Sequence, residues 1–218
     1  MEQEHLMPLT RPAQSRRGRP SAARVSAIEQ AIVETARTLF LLEGYDAVAM
    51  EQVAAAADIS KGTLYARYPS KEALFTAVIE GSVRDWAQEA SHGDHLLTDD
   101  IGQRLHHHAR TIAAALQRPD VLGLQRLILS MRGRFPALAA AMHQSGYGYI
   151  VGLISNDIER ASRRDGRPVN NPRSVAEMLV AGISGFQIEQ EADPEKGQDL
   201  AEFAQHLVEV VISGRAAW

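Results

Sequence analysis

Nowhere in this chain do apolar and polar residues alternate with period two over a useful length, whereas apolar residues recur at three- and four-residue spacing between prolines, glycines and capping residues. Text of that kind makes helices that pack by one face. Strands are therefore not expected, and the lack of a repeat of about 20–50 residues argues against a solenoid. The expected fold class is all-α, with about nine to ten helices. At 218 residues and 45% hydrophobic, the chain can bury roughly 70% of its unfolded surface, which removes any need for disulfides or a structural metal. The absence of cysteine excludes a disulfide framework, a Cys-ligated zinc, an iron–sulfur cluster and a thiol nucleophile. It also fits a reducing compartment, so the cytoplasm is the expected location.

Two further classes fall away. The opening residues are basic but have no apolar run behind them, so no secretory signal is expected. Phe135 to Asn156 carries no Asp, Glu, Lys or Arg, yet it contains Pro136, His143, Gln144, Ser145 and three glycines, and reads as a buried helix pair rather than a membrane span. The formal net charge of −4 means that any nucleic-acid site must be a local basic patch.

Punctuation divides the chain into an arm, 1–24, a first helical domain, 25–80, and a second, 81–218. The arm is rich in Pro, Arg, Ser and Gln and is expected to be disordered. Val25 begins a first helix, with Ile28, Ile32, Ala36, Leu39 and Phe40 on one face and Gly44 at its C-terminal cap. Met50–Ala57 and Lys61–Tyr68 read as two short helices joined by Asp58-Ile59-Ser60, with Ser60 as N-cap. Ser70 to about Ala90 is a longer helix, followed by a His92-Gly93-Asp94 loop. Beyond it, Thr98-Asp99-Asp100 reads as an N-cap with an acidic first turn, and Pro119 starts the next helix. Pro136 opens one that Gly146 ends, and Tyr147–Arg164 stops at Asp165-Gly166. Asn171-Pro172 starts a helix to about Gln190, and Pro194 starts the last.

Placed on a helix from Lys61, Leu64 and Tyr68 share one face, while Gly62, Thr63 and Ala66 share the opposite one. Side chains that small let a helix sit deep in a major groove, where Thr and Ala can touch thymine methyls. Tyr65 and Arg67 flank this face, and Arg67 is the candidate for a bidentate guanine contact. The stretch Gly44 to Phe75, and above all SKGTLYARYPSKEALF from Ser60, resembles the DNA-binding domain of the tetracycline-repressor (TetR) family. The resemblance covers roughly residues 25–80 and implies a helix-turn-helix, a linking helix and a C-terminal helical domain for ligand sensing and dimerisation. It departs from the family text at Val48-Ala49, where a hydroxyl-bearing cap usually stands.

Lysine is scarce, with only Lys61, Lys71 and Lys196, and two of the three lie in the first turns of helices within this motif. Lys61 and Lys71 are therefore candidate phosphate contacts. Ahead of the first helix, Arg16-Arg17-Gly18-Arg19-Pro20 resembles the core of an AT-hook, which places Arg16, Arg17 and Arg19 in an A·T-rich minor groove. The expected partner is a double-stranded, pseudo-palindromic operator.

No catalytic constellation or phosphate-binding loop appears, so no enzymatic role and no cofactor are expected. His106-His107-His108 cannot converge on one ion from consecutive helical positions, and no metal site is expected there. His108 shares a face with Ile101, Leu105 and Ile112, either as a satisfied core histidine or as a cavity-lining group, and the cavity is the reading adopted. A sensor pocket is expected to be lined by Trp86, Leu105, His108, Ile112, Leu127, Met131, Phe135, Met142 and Tyr147. Such a set suits a mostly apolar or aromatic effector. Two apolar stripes, Val175, Leu179, Gly182 and Phe186, and Leu200, Phe203, Leu207 and Val211, are expected to form a homodimer interface. The alternatives are a DNA-binding protein whose second domain only dimerises, and a helical metal-binding protein or enzyme using the histidines.

Overall fold

The computed structural model describes residues 22–91, 98–193 and 199–218. Among them are ten α-helical segments and no strand. Helix α1, Ala22–Glu43, starts three residues before Val25 and closes at Gly44, whose φ of +84° places it in the left-handed region that glycine adopts at little cost. Helix α2, Met50–Ala56, is separated from α3, Lys61–Tyr65, by a turn in which Asp58 takes a φ of +53°. Helix α3 is shorter than the Lys61–Tyr68 expected. Pro69 has no N–H and disfavours helical backbone at Tyr68, so Ala66 to Tyr68 form a turn bonded to the carbonyls of Gly62 and Leu64. Helix α4, Lys71–Ser91, follows, with the Ser70 hydroxyl accepting from Ala73 N at 3.2 Å.

The second half is α5, Ile101–Ala115; α6, Pro119–Met131; α7, Pro136–His143; α8, Tyr149–Asp165; α9, Pro172–Ala192; and α10, Leu200–Ser213. Asp100 caps α5 by accepting from Gln103 N at 2.9 Å, and Asn171 caps α9 by accepting from Ser174 N at 3.0 Å. Gly146 does not end a helix. Gln144–Gly148 forms a π-helical turn whose flanking backbone stays helical, with His143 at φ −59°, ψ −42° and Gly148 at φ −62°, ψ −34°, so α7 runs on into α8. Helix α8 stops at Gly166, φ +63°, as expected. The His92-Gly93-Asp94 loop and Pro194 lie outside the described residues, and the last helix is described from Leu200, behind Asp199.

Two apolar clusters organise these helices. The first joins α1–α4 through Ile32, Phe40, Val53, Leu64, Leu74 and Phe75, and takes in Leu124 and Met131 of α6 and Ala139 and Met142 of α7. Phe40, Tyr45 and Phe75 meet ring to ring within it, at 5.1–5.7 Å between centroids. The second joins α5, α8, α9 and α10 through Leu105, Ile154, Ile158, Leu179, Ile183 and Val208. Helix α4 leaves the first cluster and runs beside α7 and the π-helical turn, which makes it the physical link between the two halves.

Candidate nucleic-acid interface and the clefts along α4

Leu64 is fully buried against the first cluster and anchors α3, which leaves Lys61, Gly62, Tyr65 and Ala66 exposed on its other side. Ser60 caps the helix from outside: its hydroxyl accepts from Thr63 N at 3.1 Å and lies 2.8 Å from Thr63 Oγ1. The ammonium of Lys61 stands 3.5 Å from Glu51 on α2 and remains largely exposed. Glu51 is held below its ordinary pKa, first by a backbone hydrogen bond and then by the charge of Lys61. At the start of α2, where a hydroxyl cap is lacking, Gln52 Oε1 accepts a long hydrogen bond from Ala49 N (3.4 Å), and its amide donates to Glu43.

Two expected DNA contacts are occupied inside the protein. Lys71 Nζ donates to the carbonyls of Asp46 at 3.1 Å and Val48 at 3.0 Å, and stands 4.6 Å from the ring centroid of Tyr45. An ammonium fits there because the α1–α2 loop has carbonyls without helical partners, so Lys71 holds this loop onto α4. The Tyr45 phenol is pushed up to about 12, chiefly by burial and then by Glu72. Arg67 likewise turns inward: Nη1 donates to Thr63 O at 3.4 Å, and Nε stands 3.8 Å from Glu29 of α1. Its guanidinium is attracted by the acidic flank of α1 rather than extended beside α3. Arg16, Arg17 and Arg19 lie outside the described residues.

Eight of the nine residues expected to line one pocket are divided between the two clusters. Met131 and Met142 are buried in the first, with Trp86, Leu127 and Phe135 packed on it, whereas Leu105 and Ile112 are buried in the second, with Tyr147 packed on it. His108 is a satisfied interior histidine: Nε2 lies 2.9 Å from Asp157 Oδ2. Arg104 stands 3.5 Å from the same carboxylate, and Arg160 also pairs with it. Burial pushes Asp157 up, but the His108 hydrogen bond and charge, with Arg104 and Arg160, outweigh it and hold the carboxyl below its ordinary pKa. His106 is spent between Gln205 and Glu209 of α10, at 2.8 Å from each.

The two dimer stripes meet each other within the protomer. Val175, Leu179 and Leu200 are buried in the second cluster, and Phe186 stacks on Phe203 with centroids 4.0 Å apart. Leu207 packs onto Gly182, and Val211 lies against the same cluster. The stripes turn inward because α9 and α10 also pack on each other and on α8 and α5.

Open space instead lies along α4. A cleft of about 370 Å³ is bordered by Arg37, Asp85, Trp86, Gln88, Glu89 and Arg118. A second, of about 490 Å³, lies between Glu80, Val83, Arg84 and Ala87 of α4 and Gln144, Ser145, Gly148 and Tyr149 at the π-helical turn. Sequence periodicity could not reveal the second cleft, because nothing marked 144–148 as a π-helical turn. Of the residues expected to line a pocket, Trp86 borders one of these two clefts.

Known proteins agree with this architecture. The chain is 27% identical over 185 residues to the A-factor receptor protein of Streptomyces griseus, covering 82% of this chain and 62% of that protein. It is 41% identical over 51 residues to the uncharacterized HTH-type transcriptional regulator YuxN of Bacillus subtilis, covering 23% of this chain and 18% of that one. Both matches thus span less than two thirds of the relative's length. In three dimensions the chain superposes on a flavonoid-responsive regulator, FrrA, with a TM-score of 0.70 at 24% identity, over 88% of this chain and 96% of that one. Residues 32–78 match the model for bacterial regulatory proteins of the tetR family, and they are the segment that builds α2, α3 and the surfaces of α1 and α4 that hold them. That segment carries the match, and it makes residues 32–78 a DNA-binding segment of the tetR type.

Proposed function

We propose that this protein is a ligand-responsive transcriptional repressor that binds a pseudo-palindromic operator as a homodimer in the cytoplasm. One observation carries the reading: α3 is docked by a buried Leu64 and turns Gly62, Ala66 and the edge of Thr63 outward, a surface small enough for close approach to base edges. Residues 25–80 form the reader, with 1–24 as a minor-groove arm and 81–218 as the sensing and dimerising part. Ser60, Lys61 and Tyr65 supply phosphate or sugar contacts, and Thr63 contributes to base choice. Arg67 and Lys71 hold the reader in shape.

The dimer surface is the outer side of α9 and α10, where Met178, Ile188 and Val210 are each more than half exposed, with Ala181 and Gly185 beside them. The named functions of two relatives, an A-factor receptor and a flavonoid-responsive regulator, support an effector-controlled protein. No catalysis is assigned to any residue, and no helix among the described residues is long and apolar enough to cross a membrane. A second reading, in which residues 81–218 only dimerise, is favoured by the filling of both clusters with the expected pocket residues. The clefts along α4 weigh against it.

The test is a mobility-shift titration against a duplex from the promoter of the protein's own gene. A sequence-preferring shift that weakens steeply with salt supports the reading, and equal affinity for scrambled DNA sinks it.

A further inference from the structure

Helix α4 carries Glu80 and Arg84 four residues apart, with the carboxylate on the N-terminal side, the order in which such a pair ordinarily closes on itself. Here it does not. Among the described residues neither side chain makes a hydrogen bond or ion pair, and both border the cleft of about 490 Å³ against the π-helical turn. Tyr149 and the Gln144 amide, which also border it, make no side-chain hydrogen bond among the described residues either. The amide of Gln144 occupies the place where a β-carbon on residue 148 would stand, so the floor of the cleft exists because residue 148 is glycine. Val83 and Ala87 supply an apolar wall. The volume lies within the range of about 300–1,000 Å³ typical of small-molecule sites.

We propose that this cleft binds a small zwitterion, its carboxylate on the guanidinium of Arg84 and its ammonium on the carboxylate of Glu80, about 5–6 Å apart at their β-carbons. The amide of Gln144 and the phenol of Tyr149 hydrogen-bond the atoms between the two charges, and Val83 and Ala87 take a short apolar side group. The proposal rests on the regulator reading and names the chemical class of its effector. That class is polar, unlike the apolar effector suggested by the Met and aromatic residues that now fill the clusters.

The position of Arg84 also provides a route to the reader. Its guanidinium folds back along α4, with Nη2 3.8 Å from where a β-carbon on residue 81 would stand, and its charge reaches Tyr68 in the turn that follows α3. A ligand held between Arg84 and Glu80 of α4 and Gln144 of the π-helical turn biases the placement of α4 against that turn. A ligand that prefers one placement of α4 shifts the spacing of the two readers in a dimer.

The test is calorimetric titration of the full chain with glycyl-leucine, a zwitterion with an amide between its charges and an apolar side chain. Saturable binding is expected, with a Kd between about 10 μM and 1 mM. Arg84→Gln and Glu80→Gln should each weaken it at least about tenfold, and N-acetyl-glycyl-leucine amide, which lacks both charges, should not bind. No saturable heat up to about 10 mM, or binding indifferent to both substitutions, overturns the site. A parallel mobility shift on own-promoter DNA separates the two readings. Release by glycyl-leucine supports the coupling, and saturable binding without release overturns the coupling while the site stands. If no DNA shift occurs at all, the regulator reading fails and calorimetry alone decides the site.

Discussion

Nε2 of His108 lies 2.9 Å from Oδ2 of Asp157, and this contact ties α5 to α8 through a carboxylate that is only 5% exposed. Arg104 and Arg160 also pair with this carboxylate, and Arg104 stands 3.7 Å from Asp99 as well. Replacement Asp157→Asn leaves His108 and Arg160 without this carboxylate and Arg104 with Asp99 alone. A cost of about 1–3 kcal/mol is expected, below the ~3–5 of a fully buried pair because Arg160 is largely in solvent. The folded-state pKa of Asp157 lies below its ordinary 3.8, so its stabilisation is complete above that pH and is lost as pH falls through the lower value. Urea melts of both proteins should therefore differ at pH 7 and converge toward pH 2. An undiminished difference in acid would show that the carboxylate charge is not what stabilises this junction.

Lys71 should behave as a structural lysine. Its two bonds to the carbonyls of the α1–α2 loop and its place over Tyr45 predict that Lys71→Ala lowers stability by about 1–2 kcal/mol. The slope of log affinity for DNA against log salt should change by less than about one unit, the value for a lost phosphate contact. Thermal melts and a salt series of DNA titrations measure the two quantities separately, and the reverse pattern returns Lys71 to the phosphate backbone.

Lys61 and Thr63 should part in the opposite sense. Lys61→Ala is expected to weaken binding alike on every sequence and to reduce the salt slope by about one. Thr63→Ala should change the preferred base pairs, together with some loss of helix order, since its hydroxyl is 2.8 Å from that of the capping Ser60. Selection from a randomised duplex library reads the first effect, and circular dichroism the second. Deletion of residues 1–20 should weaken A·T-flanked sites most.

Surface and interior positions on the last two helices should also separate. Met178→Glu with Ile188→Glu is expected to yield a monomer by light scattering with little change in melting temperature, because both side chains are exposed in the protomer. Leu179→Ala should instead cost about 2–5 kcal/mol, since Leu179 is 1% exposed in the second cluster. A dimer that survives the glutamates places the interface elsewhere.

Features whose energetics close within one helical turn were legible in the residues alone. Gly44 and Gly166 end α1 and α8, the Thr98-Asp99-Asp100 run starts α5 with Asp100 as the capping member, Asn171 starts α9, and Leu64 faces inward from α3. Each depends on a side chain and backbone groups a few residues away, so local order suffices. The motif around Ser60 is legible for the same reason, as its turn, cap and anchor lie within a dozen residues. What each exposed-looking group would meet was not legible. Lys71 reaches back 25 residues to Asp46, His108 meets Asp157 49 residues on, and His106 meets Gln205 99 residues on. Periodicity gives the direction of a helix face but not the identity of the helix opposite, so Phe186 and Phe203 read equally well as a dimer surface or as one stacked pair. Only the packing of α9 on α10 decided between them, and only the π-helical turn against α4 decided where the cleft of about 490 Å³ opens.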